Sequence, residues 1–346
     1  MAVESTILIA DPDAESRRFL RRLLNGQGHI VVTVQDGKEV LKIIETEQPD
    51  LIMLDAGMPD GGGVTMARRL REVDAVRGLP MIVMTTSHDI EDIWRKSGAD
   101  AVLRKPFNQD EVTSWTQCLV RAGRVHENLE RAESALQELA VALESRSLYP
   151  EGHLRRVAGH AARLAAAANL DPAETVIIRR AALLHDIGYV GVPDGLLRKP
   201  AALSADEYTL MTKHTALGAD LCRYLLDGEG ISAIIRSHHE RWDGRGYPDA
   251  LQGERIPFGA RIVAVADAFD VLTMNRPYRP AVSETDALDI LLFGAGQQWD
   301  PQIVTILDNI VRPALGNGKR AGHRHRADKP KSKKTRHVPE PAVPDL

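Results

Sequence analysis

Five short apolar runs alternate with amphipathic segments over the first 120 residues of the chain. The runs are Thr6–Ala10, Ile30–Val34, Leu51–Leu54, Met81–Met84 and Ala101–Leu103. Between them, segments such as Ser16–Leu24 and Val40–Glu45 place apolar residues at helical spacing. This alternation predicts a first domain, residues 1–121, with a doubly wound, five-stranded parallel sheet of the flavodoxin-like kind. Such sheets bind their ligands outside the carboxyl ends of the strands.

A different spacing of apolar residues begins at residue 122. Intervals of four and three residues alternate along Val125, Leu129, Ala132, Leu136, Leu139 and Leu143. This heptad spacing predicts a coiled-coil linker helix over residues 122–143 and a homodimer formed through it. The alternative is a single amphipathic helix that packs against its own domain.

The pattern over residues 144–314 is helical, without a convincing strand. Helices are predicted around residues 153–168, 173–187, 205–226, 229–241, 257–274 and 301–311. Gly and Pro residues separate these stretches. We therefore expect an all-α second domain that is joined to the first by the linker helix.

Composition indicates a basic tail and limits the classes of protein to which the chain can belong. Residues 312–346 carry a net charge of +7, which leaves −11 on the rest of a chain whose total is −4. The polar composition of residues 315–346 predicts a disordered tail, either without function or serving as an arm for a partner. The acidic body argues against broad nucleic-acid binding. With two cysteines and no apolar run of about eighteen residues, we expect a cytoplasmic protein without a membrane span.

Polar side chains gather at the predicted carboxyl edge of the sheet. Asp11 and Asp13 follow the first strand, Asp55 ends the third, Thr85 ends the fourth and Lys105 follows the fifth. Carboxylates hold Mg²⁺ well, and Mg²⁺ neutralises phosphoryl oxygens during in-line transfer to a carboxylate nucleophile. A hydroxyl and an ammonium group could then bind the resulting acyl phosphate.

Three segments around these residues resemble the response-regulator receiver family. They are Ile7–Asp13, Leu54–Pro59 and Lys105–Phe107. The resemblance implies that Asp55 accepts a phosphoryl group from a sensor histidine kinase, that Thr85 is the switch hydroxyl and that Lys105 binds the phosphoryl group. Pro12 replaces the second residue of the family's acidic pair, so Mg²⁺ binding requires that Asp13 compensates. The alternative is a degenerate receiver that acts only in docking or dimerisation.

The second domain contains a scattered set of metal-ligand side chains. They are His153, His185, Asp186, His214, His238, His239 and Asp267. Four of these residues form two adjacent pairs, His185-Asp186 and His238-His239, and each pair lies near the end of an apolar helical run. Adjacent residues on a helix point in different directions, so one pair can serve two neighbouring ions. Imidazole and carboxylate without thiolate favour Fe, Mn, Zn or Ni, and a pair of such ions suits phosphate-ester hydrolysis. A single structural metal, or none, is the alternative.

Two motifs in this domain resemble a known family. His185–Gly188 resembles the HD superfamily of metal-dependent phosphohydrolases, and His238–Pro248 resembles the extended signature of its HD-GYP branch. The resemblance covers about residues 140–312 and implies hydrolysis of cyclic di-GMP to pGpG or GMP. It also implies that the seven side chains above hold two divalent ions, Fe or Mn, with Asp186 central to catalysis. GGDEF-domain or adaptor proteins are the partners that it suggests.

The same resemblance suggests further site residues. Arg276 and Arg279 could clamp a phosphate. A loop that shapes the substrate pocket or contacts a partner is predicted for Gly244, Gly246, Tyr247 and Pro248.

The motif differs from the family at Tyr189, where a lysine is usual. A tyrosine is mainly a neutral donor at neutral pH, so it could hydrogen-bond a phosphoryl oxygen or protonate the leaving oxygen but supplies no fixed positive charge. Three functions remain open. They are an active cyclic di-GMP phosphodiesterase, a catalytically weak or silent module that binds nucleotide or proteins, and a hydrolase of another cyclic dinucleotide.

Overall fold

The computed structural model describes residues 5–59, 62–73, 76, 78–146, 150–199, 201–275 and 280–318. Arg276 and Arg279, predicted to clamp a phosphate, lie outside these residues. The same holds for residues 319–346, which make up most of the predicted tail.

The first domain is the predicted five-stranded parallel sheet. Its strands are β1 (Thr6–Ala10), β2 (Ile30–Val34), β3 (Leu51–Asp55), β4 (Met81–Thr85) and β5 (Ala101–Arg104). The intervening helices are α1 (Ala14–Asn25), α2 (Gly37–Glu47), α3 (Gly62–Arg71) and α4 (Ile90–Ser97). The strand order is β2-β1-β3-β4-β5, which confirms the doubly wound fold. Each strand matches its predicted apolar run to within one residue.

Alternation along the strands builds one core on each face of the sheet. On one face, Ile7 and Ile9 of β1 pack with Leu20 of α1. On the other face, Leu8 and Ala10 pack with the helices that cover that side. Every residue of β3 and β4 is buried, because helices cover both faces, and this explains the continuous apolar runs in the sequence.

One continuous helix, α5 (Gln109–Glu144), joins the two domains. Its first half packs on the sheet through Val112 and Leu119, and its last turns pack on the second domain through Ala140 and Leu143. The residues of the predicted heptad seam differ in how far they are buried. Leu129, Leu136 and Leu143 are half-buried or buried, whereas exposed positions are Val125, Ala132 and Leu139. The helix therefore does pack against its own domain, and the coiled-coil dimer stays a prediction.

The second domain is all-α, as predicted. Its helices are α6 (His153–Ala167), α7 (Pro172–Leu184), α8 (Asp194–Leu197), α9 (Ala205–Cys222), α10 (Gly228–Ser237), α11 (Phe258–Thr273), α12 (Glu284–Gly294) and α13 (Pro301–Gly318). Helices α8 and α12 were not predicted, and α13 runs past residue 314, where the tail was expected to start. The buried helix α11 lies in the middle and contacts α6, α7, α10, α12 and α13. Over the described ranges, no helix has the length and apolar character needed to cross a membrane.

Candidate metal centre and receiver site

Five helices of the second domain carry the seven predicted metal ligands. His153 is the first residue of α6, His214 lies within α9 and Asp267 lies within α11. The two doublets stand at helix ends: His185 directly follows α7 and His238 directly follows α10. At a helix end the backbone turns away, so the second member of each doublet can approach the same centre from another side.

The structure brings the ligands together into two groups that share Asp186. One group holds Asp186, His214, His238 and His239, and the other holds His153, His185 and Asp186, with the ligand atoms of each group within 4.8 Å of one another. Asp186 Oδ1 lies 3.5 Å from His214 Nε2, and Asp186 Oδ2 lies 3.3 Å from His185 Nε2. Asp267 completes the set, with its Oδ1 atom 3.3 Å from His153 Nε2.

Backbone carbonyls fix the orientation of three of these imidazoles. The Nδ1 atoms of His185, His214 and His238 lie 2.8, 2.8 and 2.7 Å from the carbonyl oxygen three residues earlier in the chain. Nδ1 is therefore the donor, and the lone pair of Nε2 points into the cluster. These buried Nε2 atoms and Asp186 Oδ1 have no hydrogen-bond partner among the described residues. Buried polar atoms normally have a partner, and nitrogen and oxygen atoms that face one centre can be satisfied by a divalent metal ion. The residues therefore fit a metal centre.

Burial and the central carboxylate set the charges of the cluster. Burial opposes charge on His185, but the neighbouring Asp186 outweighs it and raises the pKa of His185 to about 9. The pKa of Asp186 is lowered despite burial, because imidazoles surround the carboxylate. Burial lowers the pKa of His214, and burial together with neighbouring imidazoles lowers the pKa of His238 and takes that of His239 to about 3. The site therefore favours a positive charge beside Asp186, and a metal ion that binds there has to displace the His185 proton.

Asp270 supports the first ligand from behind and was not predicted from the sequence. This fully buried carboxylate lies 2.8 Å from His153 Nδ1 and accepts a 2.7 Å hydrogen bond from Arg156 Nε. A carboxylate behind a ligand histidine orients the ring and makes Nε2 a better donor to a metal. The available signals were modest: Asp270 follows Asp267 by nearly one turn of α11, and Arg156 follows His153 in the same way on α6.

Gly188 allows the doublet on α7 to approach α9. A Cβ atom added at Gly188 would overlap the carbonyl oxygen of His214 and crowd the backbone of Gly218. Only a glycine permits this distance between the two backbones. The HD motif therefore needs its glycine to bring His185 and Asp186 to His214.

Tyr189 lies at the metal centre but is enclosed. Its ring centroid is 4.6 Å from that of His214, and the residue is only 5% exposed. The ring belongs to a small apolar cluster with Val192, Leu196 and Met211. The side chain thus packs against His214, a candidate metal ligand, at the position where the resemblance leads us to expect a lysine.

The predicted loop after His239 folds around a buried carboxylate. Glu240 accepts hydrogen bonds from the backbone N–H groups of Asp249 (2.7 Å) and Leu251 (3.1 Å). A Cβ atom at Gly246 would overlap the backbone at Glu240, and Gly244 has a positive φ of 78°. The Tyr247 ring lies 4.9 Å from the His239 ring, so the loop forms part of the wall of the metal centre. Glu240 was not singled out from the sequence, where it reads as an ordinary polar residue.

The receiver residues also meet, at the carboxyl edge of the sheet. Lys105 Nζ lies 2.7 Å from Asp11 Oδ2 and 2.6 Å from Asp55 Oδ2. Burial opposes the charge on Lys105, but its two carboxylate partners raise its pKa, whereas burial raises the pKa of Asp11. Thr85, buried at the end of β4, accepts a hydrogen bond from the Ser87 backbone. The arrangement places a carboxylate beside an ammonium group at an open sheet edge.

Asp13, expected to compensate for Pro12 as a magnesium ligand, acts as a helix cap. Its exposed carboxylate accepts hydrogen bonds from Ser16 N (2.9 Å), Ser16 Oγ (2.7 Å) and Glu15 N (3.3 Å). These bonds hold its pKa below the ordinary value. Binding of Mg²⁺ by Asp11 and Asp13 remains a prediction.

Comparison with known proteins identifies both domains. Residues 7–117 match the response regulator receiver domain, and residues 137–303 match the HD domain. The chain is 33% identical over 329 residues to the cyclic di-GMP phosphodiesterase response regulator RpfG of Xanthomonas campestris, which covers 87% of this chain and 86% of the relative. It is 30% identical over 344 residues to a probable cyclic di-GMP phosphodiesterase of Vibrio cholerae, with 87% and 76% covered.

A third relative has a different stated substrate. The chain is 34% identical over 272 residues to the 3'3'-cGAMP-specific phosphodiesterase 2 of Vibrio cholerae, covering 72% of this chain and 49% of the relative. The alignment with RpfG nevertheless spans most of both chains. The chain therefore belongs to the family of response regulators that join a receiver domain to an HD domain.

Proposed function

We propose that this protein is a cyclic di-GMP phosphodiesterase whose activity is controlled by phosphorylation of Asp55. The observation that carries the proposal is the buried cluster around Asp186, in which imidazole nitrogens converge on a shared carboxylate. Relatives that align over most of the chain are named as phosphodiesterases of cyclic di-GMP, which supports this substrate.

The cluster suits two divalent ions, and Asp186 would help to hold both of them. One ion would be held by Asp186, His214, His238 and His239. The other would be held by Asp186, His153, His185 and Asp267. A donor set of nitrogen and oxygen without sulfur favours Mn or Fe over softer ions. When bound, such a pair of ions supplies Lewis-acid activation of water and neutralises charge on the phosphoryl oxygens.

Groups of the protein itself hold the candidate ligand atoms in position. The carboxylate of Asp186 stays ionised at neutral pH because imidazoles surround it, so it attracts cations to the shared position. The carbonyls behind His185, His214 and His238 keep their Nε2 atoms aimed inward. Burial of the ligand set excludes bulk water, which strengthens the electrostatic interactions with a phosphodiester group.

Tyr189 is the group that we assign to the leaving oxygen. Its buried ring packs on His214, one of the candidate metal ligands. A phenol can donate a proton or a hydrogen bond to the departing 3′ oxygen, but it lacks the fixed charge of the usual lysine. We therefore expect slower turnover than in relatives that keep the lysine.

Control by Asp55 would pass through α5. The helix begins four residues after Lys105, which contacts Asp55 in the structure. Farther along, Glu133 of α5 forms a buried ion pair with Arg180 of α7, the helix that leads into the ligand pair. Phosphorylation by a sensor histidine kinase would alter the receiver surface, and α5 would carry the change to the metal centre.

The decisive experiment is product analysis with the full-length protein. Cyclic di-GMP and Mn²⁺, or Fe²⁺ without oxygen, are added, and pGpG and GMP are separated by chromatography. Asp186→Asn should abolish metal-dependent product, because it removes the charge shared by both metal positions. Asp220→Asn on the exposed face of α9 is a matched control that should retain activity. Absence of product from metal-loaded wild-type protein would favour a silent nucleotide-binding module.

The substrate is tested in the same assay. Because one relative is specific for 3'3'-cGAMP, that dinucleotide should be compared with cyclic di-GMP at equal concentration. We expect a higher kcat/KM with cyclic di-GMP. The opposite preference would assign the protein to the other substrate.

Phosphorylation control is tested with a small-molecule phosphoryl donor. Acetyl phosphate with Mg²⁺ should change the turnover of wild-type protein, while Asp55→Ala should keep basal turnover and lose the response. An unchanged response in Asp55→Ala would refute Asp55 as the phosphoacceptor.

A further inference from the structure

A cavity lies between the linker helix α5 and the helices α6 and α7. Its volume is about 580 Å³, and its walls come from α5, α6 and α7. Pockets for small organic ligands usually measure about 300–1,000 Å³. No predicted metal ligand lines this cavity, so it is a site separate from the metal centre.

Two arginines on one wall have no assigned role. Arg155 of α6 and Arg179 of α7 line the cavity and make no hydrogen bond or ion pair among the residues that the structure describes. Arg180, beside them, is already paired with Glu133 and Asp227. Two free guanidinium groups on neighbouring helices are well suited to bind a phosphate group.

The opposite wall, formed by α5, offers hydrogen-bond acceptors. Glu138 lines the cavity without an ion pair in the described part of the chain. Gln137 donates its amide N–H to Glu133, which leaves its amide oxygen as an acceptor. A carboxylate and an amide oxygen match the N–H donors on the edge of guanine, whereas adenine presents an acceptor at the corresponding ring nitrogen.

Part of the lining is apolar. It includes the apolar side chains of Val141, Ala158 and Leu183. Gly159 also lines the cavity, and a Cβ atom added there would meet no atom within 4 Å. The cavity is therefore open next to Gly159, which leaves room for a planar base beside the apolar side chains.

We propose that this cavity binds a guanine nucleotide, with the phosphate on Arg155 and Arg179 and the base facing Glu138. The bound nucleotide would join α5 to the two helices that lead to His153 and His185. It would thus act as an effector that fixes the linker helix against the catalytic domain, in addition to the reaction at the metal centre.

Binding is tested by calorimetric titration of GMP into full-length Asp186→Ala protein without added metal, which removes the metal centre as a competing site. GMP should bind, and the Arg155→Gln/Arg179→Gln pair should weaken it on the order of tenfold or more, because charged hydrogen bonds are lost. Guanosine and inorganic phosphate should each bind at least about tenfold more weakly than GMP, since each lacks one half of the contacts. Wild-type protein stripped of metal by a chelator provides a second background if Asp186→Ala is unstable.

Two further variants separate this site from nonspecific attraction. Gly159→Met should abolish GMP binding by filling the cavity, and the fold should tolerate it because a Cβ atom there meets no atom within 4 Å and methionine favours a helix. Glu138→Gln should reduce the preference for GMP over AMP. Equal binding of GMP by the arginine pair variant, or equal affinities for GMP, AMP and inorganic phosphate, would overturn the proposal. These outcomes do not depend on whether cyclic di-GMP is hydrolysed.

Discussion

The carboxylate behind His153 provides a sharp test of the metal centre. Asp270 is fully buried, lies 2.8 Å from His153 Nδ1, and accepts hydrogen bonds from Arg156 Nε (2.7 Å) and Nη2 (3.2 Å). Asp270→Asn keeps the size of the side chain but removes its charge. It also places an amide N–H donor beside the N–H donors of His153 and Arg156. The His153 ring then loses the acceptor that fixes its orientation.

The magnitude follows from these contacts. Loss of a carboxylate behind a ligand histidine typically lowers metal affinity on the order of 10–100-fold. Charged hydrogen bonds contribute about 1.5–3 kcal/mol each, but Arg156 is 28% exposed and regains part of this through water. We expect Asp270→Asn to lower the free energy of unfolding by about 1–3 kcal/mol, and to weaken binding of Mn²⁺ by one to two orders of magnitude.

A matched control separates stability from metal binding. Asp300 is 3% exposed and accepts a 2.7 Å hydrogen bond from Arg261, another buried carboxylate–arginine contact in the same domain. Asp300→Asn should cost similar stability in urea denaturation and leave Mn²⁺ affinity unchanged in competition with a chelating dye. If folded Asp270→Asn binds Mn²⁺ as tightly as wild-type protein, the assigned role of Asp270 is wrong.

Three more predictions concern single contacts. Gly188→Ala should lower the free energy of unfolding by about 1–3 kcal/mol and abolish metal binding, because the new Cβ overlaps the carbonyl of His214; an unchanged melting temperature and metal content would contradict this. Tyr189→Phe should keep the packing of the ring but lower kcat at least about tenfold with little change in KM, since the phenol donor is lost; equal kcat would assign the ring a packing role alone. Glu133→Gln should cost about 1–3 kcal/mol in urea denaturation, because the charge of Arg180 loses its buried partner; a wild-type unfolding curve would show that the pair does not hold α5.

The strands, and the histidines and aspartates that cluster in the second domain, could be predicted from the sequence for physical reasons. Strands buried on both faces must be apolar throughout, so β3 and β4 appear as uninterrupted runs. Ligand doublets such as His185-Asp186 stand out because histidine and aspartate are uncommon at the end of an apolar helix. The helical class of the second domain followed from the same periodicity, although the short helix α8 is too brief to give a periodic signal.

Residues that act from behind the site could not be predicted in this way. The contact between His153 and Asp270 joins residues 117 positions apart, and nothing local marks Asp270 as special. At Asp13 a local role was missed instead, because its carboxylate caps α1, whereas from the sequence it was considered only as a ligand for Mg²⁺. The heptad seam also has two readings, since leucines at the same spacing satisfy either a partner helix or the chain's own core.

Because α5 is one continuous helix, the number of its residues sets the rotation of one domain relative to the other. Thirty-six helical residues form a rod of about 54 Å, and each residue turns the rod by roughly 100°. Arg124 anchors it to Asp50 on the receiver side, and Glu133 anchors it to Arg180 on the other. One inserted residue between these anchors would therefore rotate one domain out of phase with the other, whereas seven would restore the angle. Changes of length between the anchors that lie close to a whole number of helical turns, such as seven or eleven residues, should therefore be tolerated better than other changes.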